Sequence, residues 1–342
     1  MAATRELPLA IQTSYAELLD QLRYTQTASL GPNLQYRLKT VKGRGYWYAR
    51  SPVGPDGARR ERYLGPDKPE LRAVIENDKA IAGGVDGRRR IVRSLIAAGL
   101  TEPDPITGDV LKALADAGVF RLRGVVVGTV AFQMFGGGLG AILPGAAMRT
   151  GDLDIAQDFG ISVSVDDVID RSMDELLRGV HTAFRSLPSL DDPFVAKAYG
   201  LPSGYRVEFL TTNRGAERGS SRLGPLRSGA APLRFLDFLL RDAIDAAALY
   251  GDGVLVRVPQ PARFAIHKLM IARRRRPGTG KSAKDTLQAE GLIEVLGRKD
   301  PFALREAYGE ARDRGPEWRK LLDEAVSLLP ETARAVLEVR RP

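Results

Sequence analysis

Asp152 and Asp154 are the residues of this chain best placed to do chemistry. They fall in the run Arg149-Thr150-Gly151-Asp152-Leu153-Asp154-Ile155. In an extended strand, residues i and i+2 point to one face. The two carboxylates then project together, while Leu153 and Ile155 face a core. Paired carboxylates are a natural seat for Mg²⁺, which prefers oxygen ligands and takes one or two carboxylates together with substrate phosphates. Upstream, Gly124-Val125-Val126-Val127-Gly128-Thr129-Val130-Ala131-Phe132 reads as strand, turn and helix. Gly128 lets the chain bend, and the helix that follows offers N–H groups to a phosphate.

A third carboxylate lies on a second predicted strand. In Tyr205-Arg206-Val207-Glu208-Phe209-Leu210, Val207 and Phe209 point inward and Arg206 and Glu208 outward. Glu208 on a neighbouring strand could complete a metal cluster or orient a hydroxyl nucleophile.

The elements that position these groups follow from periodicity and turn residues. Residues 12–30 read as a helix with Tyr15, Leu18, Leu19 and Leu22 on one face. Tyr36–Lys39, Tyr46–Arg50 and Glu61–Leu64 alternate like strands, with a turn at Pro52, Gly54, Pro55, Asp56 and Gly57. Residues 69–98 read as one charged helix, and 106–118 as a shorter one. The run 213–231 is rich in Gly, Ser and Arg and reads as a loop. Leu233–Leu249 reads as an amphipathic helix and Gly253–Val258 as a short strand, with helices from Pro261 onward.

The 342 residues carry 51 Lys+Arg against 42 Asp+Glu, a formal charge of +9. That balance suits a polyanion such as RNA, DNA or nucleotides; an Arg-rich genome would produce the same excess. Cysteine is absent, so disulfides and Cys-based zinc sites are excluded, and His181 and His267 are too few for a His-rich metal site. No apolar run approaches ~20 residues, and Met1–Glu6 lacks a signal-peptide core. The expectation is a cytoplasmic bacterial protein with no membrane span.

Gly128-Thr129 at the end of one strand, followed by Arg149-x-x-Asp152-x-Asp154 on the next, resembles the nucleotidyltransferase superfamily of the polymerase-beta type. Within it, the chain looks most like a bacterial nucleotidyltransferase-like family. It is more distantly similar to abortive-infection nucleotidyltransferases that form the toxin half of some toxin–antitoxin pairs. Downstream, Phe264-Ala265-Ile266-His267-Lys268-Leu269, then Lys281, Lys284, Asp285 and Gln288, resemble the helical Lys…(Lys/Arg)-Asp region of those proteins. Two features depart from the pattern. The turn reads Gly-Thr instead of Gly-Ser or Gly-Gly, and a long stretch with Gly136–Gly140 and Pro144-Gly145 separates it from the aspartates.

The resemblance implies an α+β fold with a mixed sheet and flanking helices. An N-terminal helix and β-hairpin region would occupy 1–100, the nucleotidyltransferase core 101–230 and a helical region 231–342. It implies transfer of an NMP from an NTP, ATP included, with Mg²⁺ or Mn²⁺ held by Asp152, Asp154 and Glu208. Gly128, Thr129, Arg149, Lys268, Lys281, Lys284 and Asp285 would bind the nucleotide. RNA or tRNA leads as the acceptor, with a protein or small molecule as alternatives and a cognate antitoxin as a partner. The competing reading is a catalytically silent module of the same fold that binds nucleic acid or protein.

Other signals have bland readings. Lys268, Lys281 and Lys284 would equally serve as solvated helix-face lysines, and Arg273–Arg276 as a solvated loop. Gly278-Thr279-Gly280-Lys281-Ser282 ends like a P-loop, but the required first Gly falls on Arg275 after a helical segment. Gly136, Gly138 and Ala141 imitate a dinucleotide fingerprint but follow a helix. Between residues 36 and 63, Tyr36, Tyr46, Trp47, Tyr48 and Tyr63 interleave with eight Lys and Arg residues. Such a pattern could hold single-stranded nucleic acid, or pack as a small sheet on a neighbouring helix.

Overall fold

The computed structural model describes residues 4–28, 34–51, 59–148, 150–187, 196–213, 219–275 and 280–338. The chain opens with β1 (Arg5–Glu6) and the long helix α1 (Leu9–Ala28). Tyr15, Leu18 and Leu22 bury the predicted stripe of α1. Next come β2 (Gln35–Val41), β3 (Arg44–Arg50) and β4 (Glu61–Pro66), an antiparallel sheet in the order β2-β3-β4. Helices α2 (Pro69–Gly83) and α3 (Val85–Ala97) replace the single helix expected over 69–98. The Gly83-Gly84 pair breaks it, because glycine raises the entropic cost of helix continuation. In α4 (Pro105–Asp116), Asp104 caps the N-terminus by accepting the Thr107 N–H, and Pro105 takes the first turn.

The core sheet begins at β5 (Val125–Val127), which turns directly into α5 (Gly128–Leu139). After β6 (Ala141–Ile142) comes β7 (Asp152–Gln157), then α6 (Phe159–Ser164) and α7 (Met173–Val180). Strands β8 (Arg185–Ser186), β9 (Ala198–Gly200), β10 (Arg206–Thr212), β11 (Ser221–Leu223) and β12 (Ser228–Leu233) complete it. The seven-stranded sheet runs β11-β12-β10-β7-β5, with β9 also on β10 and β8 on β9. β10 is parallel to both β7 and β12, whereas β5 is antiparallel to β7. This is a mixed sheet. Val126, Leu153, Ile155, Val207 and Phe209 are fully buried along its central strands.

Two expectations are corrected here. The run 213–231 contributes β11 and most of β12, although residues 214–218 lie outside the described residues. Small buried residues such as Ser228 and Ala230 let β12 pack closely, and pairing with β10 overrides the loop-like composition. The segment 233–249 is not one helix but α8 (Leu236–Leu240) and β13 (Ile244–Ala248), the latter paired with β14 (Val254–Val258). Left-handed backbone at Phe235 and Asp242 brackets α8 and stops the helix from extending either way.

The rest is helical: α9 (Pro261–Arg274), α10 (Gly280–Lys299), α11 (Pro301–Asp313), α12 (Pro316–Val326) and α13 (Glu331–Glu338). Phe264 of α9 meets Phe135 of α5 edge-on, with ring centroids 5.0 Å apart, which ties the helical region to the sheet's covering helix. Among the described residues no helix is long and apolar enough to cross a membrane.

Candidate active site

Asp152 and Asp154 stand on β7, pointing to the face opposite the buried Leu153 and Ile155. The register does the rest. Asp154 lies opposite Val127 of β5 on one side and Glu208 of β10 on the other, while Asp152 lies opposite Arg206. Adjacent strands are about 4.8 Å apart, so Glu208 and Asp154 are immediate neighbours on one face. Among the described residues, no three His, Asp or Glu side chains are gathered into a cage that would hold an ion by themselves.

The turn before α5 is fitted to Asp154. Gly128 has φ +67°, the left-handed region, and a Cβ there would sit 2.2 Å from Asp154 Oδ2. The carboxylate therefore lies over the bare backbone that opens the helix. Thr129 follows in the first turn and is half-buried.

Asp154 retains some exposed surface but is densely surrounded. Its pKa is raised to about 7, first by desolvation and then by Glu208 and Asp152; Lys268 and Lys281 pull the other way. Part of that rise is repulsion among the three carboxylates, which a divalent cation would relieve. Mg²⁺ needs only one or two carboxylates where phosphate oxygens supply other ligands. The donor set fits such an ion as one half of a shell, not as a closed cage.

The basic groups come from α9 and α10. Lys268 is 8% exposed, and its ammonium donates to Asp285 Oδ1 at 2.6 Å. Asp285, 3% exposed, also meets Arg275 Nε at 2.9 Å through Oδ2. Lys281 is exposed, and Lys284 is half-buried. Burial lowers the pKa of Lys284, with Lys268 adding to the effect and Asp285 and Asp152 opposing it. Lys268, Lys281 and Lys284 therefore all act electrostatically on the aspartate face. Ser282 fixes the start of α10 by donating to the Ala272 carbonyl of α9 at 2.9 Å.

Of the residues named from sequence, Asp152, Asp154, Glu208, Gly128 and Thr129 share one end of the sheet. Lys268 and Asp285 are a buried pair, not solvated side chains. Arg149 lies outside the described residues. Arg275, expected in a solvated loop, is engaged by Asp285; Arg273 and Arg274 end α9, and Arg276 lies outside the described residues. Sequence reasoning did not single out a hydroxyl network beside the aspartates. Thr107 Oγ1 lies 2.6 Å from Asp104 Oδ2 and 3.1 Å from the Tyr205 hydroxyl. Burial raises the Tyr205 pKa, and Asp152 and Asp154 are among the charges that act on it. The signal available was the N-cap Asp104-Pro105-x-Thr107.

A mixed sheet with paired aspartates beside a strand-turn-helix defines a nucleotidyltransferase fold. The family model described as nucleotidyltransferase matches residues 106–313, and the chain belongs to that family. It is a transferase enzyme whose class moves an NMP from an NTP to an acceptor. No curated protein and no solved structure matches the chain.

Proposed function

We propose that Asp152, Asp154 and Glu208 form the catalytic face of an Mg²⁺-dependent nucleotidyltransferase whose acceptor is a hydroxyl of RNA. The observation that carries this reading is the register that seats Glu208 opposite Asp154, with Asp152 on the same face and lysines acting on it from α9 and α10. Mg²⁺, or Mn²⁺, would be held by the aspartates and would supply charge neutralisation at the α-phosphate.

The chain's own groups have separate tasks. N–H groups at the opening of α5, from Gly128 and Thr129 onward, cradle phosphate oxygens. Lys281 and Lys284 offset the triphosphate charge. Lys268 is held in place by Asp285, so its charge acts from a fixed position. Glu208 accepts a hydrogen bond from the attacking hydroxyl and orients it. The hydroxyl oxygen forms a bond to the α-phosphorus in line and gives its proton to Glu208, the bond to the bridging oxygen breaks, and pyrophosphate leaves. RNA is favoured as acceptor by the net charge of +9.

The test is incubation of the purified chain with each α-labelled NTP, Mg²⁺ and total bacterial RNA. Labelled RNA and released pyrophosphate are expected. Label on protein or on a small molecule would redirect the acceptor, and no label from any NTP would overturn the reading. A role as the toxin of a toxin–antitoxin pair would show as growth arrest on expression, relieved by Asp154→Asn.

A further inference from the structure

Strands β2, β3 and β4 have two unlike faces. Cross-strand partners share a face, so the register sorts the side chains. Tyr36 lies opposite Ala49, and Leu38 opposite Trp47. This face is engaged by α2 and the segment before it: the Tyr36 hydroxyl bonds to Asp78, and Trp47 Nε1 donates to Asp67 at 2.8 Å.

The other face holds the alternating partners. Arg37 lies opposite Tyr48, Lys39 opposite Tyr46, and Tyr48 opposite Tyr63. The three tyrosines form a cluster: Tyr63 is 5.4 Å from Tyr48 and 6.2 Å from Tyr46 between ring centroids. Tyr63, on the edge strand β4, is 53% exposed. The Lys39 ammonium lies 4.4 Å from the Tyr48 ring centre. Arg37 and Arg44 are exposed, and Arg50 flanks the far end. Glu61 is the acidic member of this face and pairs with Lys39. The result is an aromatic platform rimmed by an excess of cations.

We infer that this outer tyrosine face binds the acceptor, as single-stranded RNA. The inference rests on the reading of RNA as acceptor and adds where it docks. Bases stack on aromatic rings only when their own faces are open, which selects a single strand. Arg37, Arg44 and Arg50 lie where a phosphate chain crossing the rings would pass. Charge complementarity decides for a polyanion over an apolar protein surface.

The experiment uses the full chain and a fluorescein-labelled oligouridylate of about twelve nucleotides, with EDTA and no NTP, so that chemistry plays no part. Fluorescence anisotropy should show Tyr48→Leu with Tyr63→Leu weakening binding about tenfold or more, from lost stacking. Leucine keeps the apolar bulk of the sheet. Tyr48→Phe with Tyr63→Phe keeps the stacking surface and should retain binding. Arg37→Gln with Arg44→Gln, both exposed, should lower the salt slope by about 1 to 2, since each phosphate contact contributes ~0.7. Unchanged affinity in the leucine variant overturns the inference, as does equal affinity for the matching oligodeoxythymidylate. Absence of RNA binding by the wild type, or label found on a protein, also overturns it. RNA bound through these rings with no NMP transferred from any NTP leaves the surface standing and removes the transfer reading. RNA labelled equally by wild type and leucine variant, at unchanged affinity, removes the surface alone.

Discussion

Lys268 and Asp285 meet across the α9–α10 interface at 2.6 Å, both nearly sealed from water. Removing one partner of a buried pair strands the other charge, at a cost of about 3–5 kcal/mol. Asp285→Ala should therefore destabilise the chain by that order, read from urea unfolding. Replacing both, Lys268→Met with Asp285→Leu, should recover much of the stability without restoring nucleotide transfer. A double variant that regains stability and keeps full activity would make the pair purely structural.

Gly128 is the second test. An alanine there must adopt left-handed backbone and bring its Cβ within 2.2 Å of Asp154 Oδ2. Strain of this kind costs about 1–3 kcal/mol. Gly128→Ala should lower the melting temperature and reduce transfer, because Asp154 must move. Wild-type activity in this variant would show that the Asp154 position seen here is not needed.

Asp154→Asn keeps the shape of the side chain but removes a charge crowded by Glu208 and Asp152. The expected result is loss of NMP transfer, by at least about a hundredfold, with stability unchanged or raised. Transfer at the wild-type rate would sink the assignment of the catalytic face.

His267 predicts a pH dependence. Its Nδ1 is buried without a hydrogen-bond partner, and burial, then Lys268 and Arg275, push its pKa down from 6.5 to about 3. The unfolded chain thus takes up a proton in mild acid that the folded chain refuses. This contribution is complete above pH 6.5 and is lost as pH falls toward 3, by up to about 1.4 kcal/mol per unit. Wild type should lose more stability than His267→Leu between pH 7 and 5. Equal losses would mean that His267 does not govern this range.

The strands that carry Asp152, Asp154 and Glu208 were legible because their signals are local. Asp-x-Asp and Arg-x-Glu alternate at period two, and Gly128 breaks between a valine run and a helical stripe. The segment 233–249 was not legible in the same way. Leu236, Phe238, Leu239 and Leu240 imitate a helical face, and nothing local announces that Ala246, Ala247 and Ala248 pair with β14. Arg275 and Tyr205 were missed as site neighbours because their partners lie 10 and 98 residues away along the chain. Only tertiary packing brings them together.

Helix α1 precedes the span matched by the family, which begins at residue 106. Yet the Tyr15 hydroxyl accepts the Ala247 N–H at 3.0 Å, and the Tyr15 ring lies on Gly137, where a Cβ would come within 2.2 Å of it. Gly137 belongs to the same helix whose first residue is Gly128. The helix proposed to meet the phosphates is therefore braced at its far end by a segment outside the span matched by the family. Exchange of the N-terminal segment between relatives would have to carry Tyr15 and a glycine at 137 as a matched set, so recombination near residue 100 would join halves that do not fit.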